Sequence, residues 1–356
     1  MSIQGLATAI EEDIQRRRLS AGDRYFTSAK MGQFFKVHPR KASRAMMHLA
    51  KRGILVRRPG AGTFIGPNHR VIQPVRIEVV HLLMSSHRPW TALPMGGFVE
   101  GVMQATGDRA VCIQRLPARD ELSYLRELLA GGKADGSLQG LLLLGCGRQI
   151  QEAVLAHNVP AVVVGGVFTS TSLLPSIDLD QYASGEMAAQ YMVRRGHRHL
   201  GLICGETWLP GDNAFFEGVN RVLHEARGLR PRLTTRSVPM EHAVATAEVR
   251  QLLARQPRPT GLICRGRFLT EAACHAAGEA RIAIPGDLDV LLAQALVPRK
   301  SDRVYLAATK SWRSISRMAG RMLVRQIEKE PLKTPHRTVP VRLVENGRAT
   351  QPGVDV

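Results

Sequence analysis

The sequence predicts an α/β protein in two parts, a small basic helical domain with a hairpin followed by a two-lobed α/β body with parallel sheets. Three observations carry that reading. The first 70 residues hold 14 basic side chains against 4 acidic ones, about half of the formal excess of +19 in a fifth of the length. From Val75 onward, short apolar runs alternate with helical stretches, the pattern of βαβ units closing a parallel sheet. The pattern restarts after Asp178, and two similar α/β lobes in one chain leave a cleft between them. With 356 residues the chain can bury more than one core.

In the basic part, Ile3, Leu6, Ala7, Ile10 and Ile14 fall at helical spacing while Glu11, Glu12 and Asp13 take other faces, which predicts a helix of about four turns. Gly22 interrupts it, and Thr27 or Ser28 offers the cap of a second, short helix through "AKMGQFF". His38 or its neighbour starts a third, with Pro39 in the first turn and Ala42, Ala45, Met46 and Leu49 as its buried stripe. Arg40, Lys41, Arg44 and Lys51 are left facing outward, and Lys30 adds a cation on the helix before. Gly53 ends the third helix, and "ILVRRPGAGTFI" reads as a two-stranded wing. Gly60 and Gly62 let its backbone come close to a sugar-phosphate edge, and Arg57 and Arg58 supply the charge there. Two short helices with a tight turn, the second presenting cations near its start, form an arrangement that fits a major groove.

This order of elements resembles the GntR-type winged helix-turn-helix over about residues 3–65, chiefly in "AGDR", "FFKVHPRKASRAMMHLAKRGIL" and "RRPGAGTFI". The resemblance implies a DNA-binding domain at residues 1–66, with Lys30, Arg40, Lys41, Arg44, Arg57, Arg58, Gly60 and Gly62 at the interface. Pro39 and Ser43 stand where that family usually has arginines, so the base contacts themselves are not carried over.

"GPNHRVIQP" has no periodicity and two prolines, and residues 67–74 read as a linker. In the body, residues 75–356, the strand and helix candidates run "VRIEVVHLLM", "GGFVEGVMQATG", "AVCIQRL", "ELSYLRELLAGG", "LQGLLLLG", "RQIQEAVLAHN" and "PAVVVGG". A second series follows with "HLGLICG", "DNAFFEGVNRVLHEARG", "LTTRSVP", "AVATAEVRQLLARQ", "TGLICRG" and "TEAACHAAGEA". The stretch "PSIDLDQYASGEMAAQYMVRRGHRHLGLICGE", with "IPGDLDVLL" and "VPVRLVENGRAT", resembles the LacI-type, periplasmic-binding-protein-like sensor.

That resemblance implies a small-molecule effector, a sugar or an anionic metabolite, held where strand ends face the cleft. The expected wall residues are Ser85, Ser86, Trp90, Cys146, Trp208, Phe215, Arg265 and Arg267. Two features of that family's sugar clamp are absent: Phe215 stands where an arginine is expected before Gly218, and Gly266 and Arg267 replace an Asn-Asp pair. The resemblances together imply a homodimeric transcriptional regulator, a repressor, on a two-fold operator of double-stranded DNA. The alternative is a ligand-independent repressor whose body serves only to dimerise.

Other classes are disfavoured. Cys112, Cys146, Cys204, Cys264 and Cys274 are scattered without a C-x-x-C pair, which suits a reducing compartment and small buried hydrophobes rather than a zinc or disulfide framework. No leader-like apolar region opens the chain and no run reaches the length of a membrane span, so a cytoplasmic location and no membrane contact are expected. His197 and His199 lack further ligands nearby and read as turn and packing residues, not a metal site. No G-x-S-x-G, phosphate-loop or H-E-x-x-H motif occurs, and no enzyme activity or cofactor is expected.

Overall fold

The computed structural model describes residues 2–17, 19–69, 78–86, 95–226, 228, 231–294, 296 and 298–349. The chain divides into two compact units, Met1–Arg76 and Ile77–Val356. Residues 70–74 of the expected linker lie outside the described ones.

In the first unit, α1 (Ile3–Arg16) begins at Ser2, whose Oγ accepts the Gly5 N–H at 2.9 Å. Thr27 caps α2 (Ser28–Phe34), and the His38 ring caps α3 (Pro39–Lys51) with Pro39 in its first turn, where a missing N–H costs nothing. β1 (Arg24–Tyr25), β2 (Leu55–Arg58) and β3 (Gly62–Ile65) form an antiparallel sheet with β3 in the middle. Leu6, Ile10 and Ile14 of α1, Met31 of α2, and Ala45, Met46 and Leu49 of α3 bury one apolar core against Leu55 and Ile65. The buried Asp13 carboxylate accepts hydrogen bonds from Tyr25 Oη at 2.8 Å and Arg17 Nε at 3.1 Å, which offsets its desolvation and pins α1 to β1. Burial, followed by the bond to Asp13, raises the Tyr25 pKa well above its ordinary value.

The second unit has two lobes. β4 (Val79–Met84), α4 (Met95–Thr106), β5 (Ala110–Arg115), α5 (Glu121–Asp135), β6 (Leu138–Leu144), α6 (Arg148–Ala156), β7 (Ala161–Val164) and β8 (Ser176–Leu179) build the first. The second takes α7 (Gln181–Arg194), β9 (His199–Gly205), α8 (Pro210–Glu225), β10 (Arg232–Val238), α9 (His242–Leu253), β11 (Gly261–Cys264), α10 (Arg267–Glu279), β12 (Asp289–Leu292) and β13 (Val304–Ala308). The chain then sends α11 (Trp312–Ile327) and β14 (His336–Val339) back to the first lobe, and β15 (Val341–Glu345) and β16 (Arg348–Ala349) to the second.

The first-lobe sheet runs β14-β8-β7-β6-β4-β5, with parallel pairing throughout. Along β4, Val80, Leu82 and Met84 pack under α4 and α11 while Leu83 packs on the opposite face, the two-residue alternation of a sheet covered on both sides. α4 and α11 approach closely: a Cβ at Gly101 would stand 2.2 Å from the Arg313 carbonyl oxygen. The second sheet runs β10-β9-β11-β12-β13-β15-β16. Its β10-β9-β11-β12-β13 part is parallel, as expected, and its far edge adds two antiparallel strands, β15 on β13 and β16 on β15. β15 enters from the first lobe through Pro340 and so runs opposite to the strands that began in its own lobe.

His197 braces the turn between α7 and β9, as expected of it. Its Nε2 meets the Asp289 carboxylate at 2.9 Å and its Nδ1 meets Thr260 Oγ1 at 3.0 Å, while Arg195 Nε donates to Asp289 at 2.6 Å. Burial alone would raise the Asp289 pKa, but the hydrogen bonds and charges of Arg195 and His197 outweigh it and hold the carboxyl below its ordinary value. A depressed carboxylate contributes stability that is present above its unfolded pKa of about 4 and lost as pH falls through the folded value. Asp289→Asn is therefore expected to flatten the acid limb of stability against pH below about pH 4; urea midpoints from pH 2 to 7 that fall as steeply as in the parent chain would contradict this.

Candidate functional site

Two sites follow from this architecture, one on each unit. On the first, the hairpin turns at Pro59 and Gly60, with the Ala61 N–H donating to the Arg58 carbonyl at 3.1 Å. Gly60 at φ +72° and Gly62 at φ +115° adopt backbone that L side chains rarely enter, so these two glycines make the narrow tip. Arg57 reaches back from β2 across two helices, its Nη1 to Ser43 Oγ on α3 and its Nη2 to Ser28 Oγ at the start of α2, each at 3.5 Å. The Arg58 guanidinium lies over the Phe64 ring, 5.1 Å from its centroid.

On α3 the buried stripe is Ala42, Ala45, Met46 and Leu49, so Arg40 and Arg44 are exposed one turn apart, while Lys41 is half-buried. Lys30 is exposed in the first turn of α2. Sequence reasoning missed Arg24, which β1 sets beside the hairpin so that its Nε would lie 3.5 Å from a Cβ at Gly62. The quoted "AGDR" ends on Arg24, but only its pairing with Phe64 brings it to the hairpin, since β1 is two residues long and carries no periodic signal. Arg24, Arg57 and Arg58 thus share one small sheet, and Arg57 joins that sheet to the starts of α2 and α3, a concentration of cations suited to a polyanion.

On the second unit, strand ends from both lobes line a cleft of ≈ 970 Å³, its open mouth included. Met84, Leu144, Val164, Ile177 and Ile315 give the first lobe an apolar wall with Trp312, and Asp178, Gln181, Asp212, Arg265 and Gln294 bring polar groups. Arg265 follows β11 directly, and Gly266 at φ +114° turns the chain from that strand into α10. Its guanidinium stacks on Phe215, 4.2 Å from the ring centroid. Nε and Nη2 donate to Asp212 Oδ1 at 3.1 and 2.7 Å, and Nη1 to Gln181 Oε1 at 3.1 Å. Asp212 also caps α8, accepting the Leu209 N–H at 3.0 Å.

The expected wall residues divide sharply. Ser85 and Arg265 line the cleft, and Phe215 is fully buried beneath Arg265. Ser86 is held by Glu121, whose Oε1 accepts its N–H at 3.0 Å and its hydroxyl at 2.6 Å, while its carbonyl accepts from Arg115. Cys146 lies in the apolar core instead, because the turn after β6 folds inward under α6. Trp208 leans away onto Phe216 and donates to Ser237 Oγ at 3.0 Å. Arg267 forms an ion pair with Asp302 at 2.5 Å rather than lining the cleft. Trp90 lies outside the described residues. Asp178, Gln181, Asp212 and Trp312 were missed, and only Asp212, one turn before Phe215 in α8, carried a signal in the sequence.

Among the described residues, no group of three or more His, Cys, Asp or Glu stands ready to hold a metal, and no helix is long and apolar enough to cross a membrane.

Residues 189–347 match the periplasmic binding protein-like domain. The transcriptional repressor PurR of Yersinia enterocolitica is 27% identical over 136 residues, 38% of this chain and 40% of that protein. The PurR of Escherichia coli is 25% identical over 174 residues, 48% of this chain and 49% of that one. The chain thus spans less than half the length of these curated relatives. Among solved structures, the regulator CelR in complex with cellobiose superposes with a TM-score of 0.65 at 18% identity, covering 88% of this chain and 92% of that one. The regulator CcpA of Lactococcus lactis gives 0.64 at 12% identity, covering 76% and 98%. By fold, the second unit is a periplasmic-binding-protein-like α/β body, similar to those of LacI-family transcriptional regulators.

Proposed function

We propose that this chain is a DNA-binding transcriptional repressor whose operator affinity is set by a small molecule bound in the cleft of its second unit. The first unit is then a winged helix-turn-helix of the GntR type, with α3 in the major groove and the β2-β3 hairpin along the adjacent backbone. The observation that carries this is Arg57, which links the hairpin to the starts of both α2 and α3 and makes one continuous cationic surface of them. A homodimer would present two such surfaces to a two-fold operator. Control requires the effector to prefer one conformation of the lobes, since equal affinity for both shifts nothing.

Fluorescence anisotropy on promoter DNA from the chain's own chromosomal neighbourhood tests this, at two salt concentrations and with metabolites from that neighbourhood. Tight, salt-sensitive binding that a metabolite shifts is the expected result; absence of DNA binding would sink it. Binding that no metabolite moves would favour the second reading, a body that only dimerises, which the internally paired Arg265 supports.

A further inference from the structure

We infer that the exposed face of α11 is a second contact surface for DNA, its four arginines set to follow the phosphates of a duplex backbone. The inference rests on the DNA-binding reading above and extends it to the second unit. Arg313, Arg317, Arg321 and Arg325 recur at every fourth position, and they are the only exposed residues of α11. The rest of that helix is buried or half-buried, with Ile315, Ala319, Met322 and Leu323 in the first-lobe core. Four residues advance a helix by about 6 Å, so the stripe runs about 18 Å and winds only slowly round the helix. Lys310 just before α11 and Lys329 just after it add an exposed cation at each end.

Acidic neighbours leave most of this charge unanswered. α11 contains no Asp or Glu, and α4 beside it has one, Glu100, which pairs with Arg313. Arg325 lies 3.8 Å from Glu330, an exposed and therefore weak pair. Among the described residues, Arg317 and Arg321 make no ion pair. Exposed arginines of the second lobe are matched instead, Arg195 by Asp289, Arg250 by Glu279 and Arg299 by Glu271. A protein partner would call for an aromatic or aliphatic anchor amid the charge, and no exposed residue of α11 supplies one. Duplex DNA carries one charge per about 1.7 Å of its axis and asks only for cations along its backbone. The stripe also ends where the chain enters this unit: Arg109 pairs with Glu78, just before β4, at 3.1 Å and lies 3.9 Å from Glu328, just after α11. A duplex held by the first unit is presented to the stripe at the raised local concentration of a tethered ligand.

Fluorescence anisotropy with the full chain tests this on promoter DNA in a duplex of about 60 base pairs, several helical turns long. Arg317→Gln combined with Arg321→Gln is expected to weaken binding about tenfold and to lower the salt slope by about two units. Arg317→Lys combined with Arg321→Lys keeps the charge and should keep the parent's slope, which separates a phosphate contact from a packing defect. A lysine pair that loses as much as the glutamine pair overturns the inference. Arg57→Ala with Arg58→Ala, measured alongside, separates the two proposals. A loss in the glutamine pair alone keeps this inference and takes the hairpin out of the interface. A loss in the hairpin variant alone overturns this inference, keeps the DNA-binding reading and leaves the stripe to an acidic protein. A parent chain that binds no DNA overturns both.

Discussion

Gly185→Ala is expected to destabilise the second unit by at least about 2 kcal/mol, although alanine favours a helix over glycine by about 1 kcal/mol. α7 and α8 cross with their backbones in contact. A Cβ at Gly185 would stand 2.0 Å from the Phe215 carbonyl oxygen, and one at Gly218 would stand 2.1 Å from that of Tyr182. Neither obstacle is the end of a flexible side chain, so the helices must separate. Phe215 and Asp212 ride on α8, and their displacement would disturb the stack and the ion pair that hold Arg265. The matched control is Gly131→Ala in α5, where nothing lies within 4 Å of the added methyl and helix propensity alone should stabilise. Urea unfolding of the three chains decides the matter: a Gly185→Ala midpoint at or above the parent's would refute the close crossing.

The second large effect is on DNA. Each phosphate contact contributes about 0.9 to the slope of log affinity against log salt concentration. Arg57→Ala combined with Arg58→Ala should therefore lower that slope by about two units on any sequence, as phosphate contacts do. Arg40→Ala or Arg44→Ala, if the side chain reads a base edge, should instead cost about 1 to 3 kcal/mol at one operator position. Adding Arg24→Ala to the hairpin pair should remove about one further unit of slope. A hairpin variant with the parent's slope would take the wing out of the interface.

Much of the first unit was legible because its determinants are local. Caps at Thr27 and His38, Pro39 in a first turn, and two glycines at positive φ each act within a few residues of where they stand. Most strands and helices of both lobes were legible for the same reason, as was the cleft, because strand ends in an open α/β sheet face a crevice, but α11, β13 and β14 were not among the expected elements. The wall of that cleft was much less legible. Trp208 and Arg267 follow strands as the wall residues do, yet Ser237 and Asp302 draw them aside. Trp312 reaches the cleft because α11 leaves the second lobe to pack on α4, residues more than two hundred positions earlier in the chain.

The sequence by itself determined the two-part organisation, the cationic helix-hairpin surface and the pair of α/β lobes, since charge density, periodicity and capping are properties of neighbouring residues. Only the tertiary structure decided which lobe owns α11 and β14, that Trp312 meets the cleft, and that the Arg265 charge is answered by Asp212. Those outcomes depend on chain crossings between lobes and on side chains meeting across dozens to hundreds of residues, which no local pattern encodes.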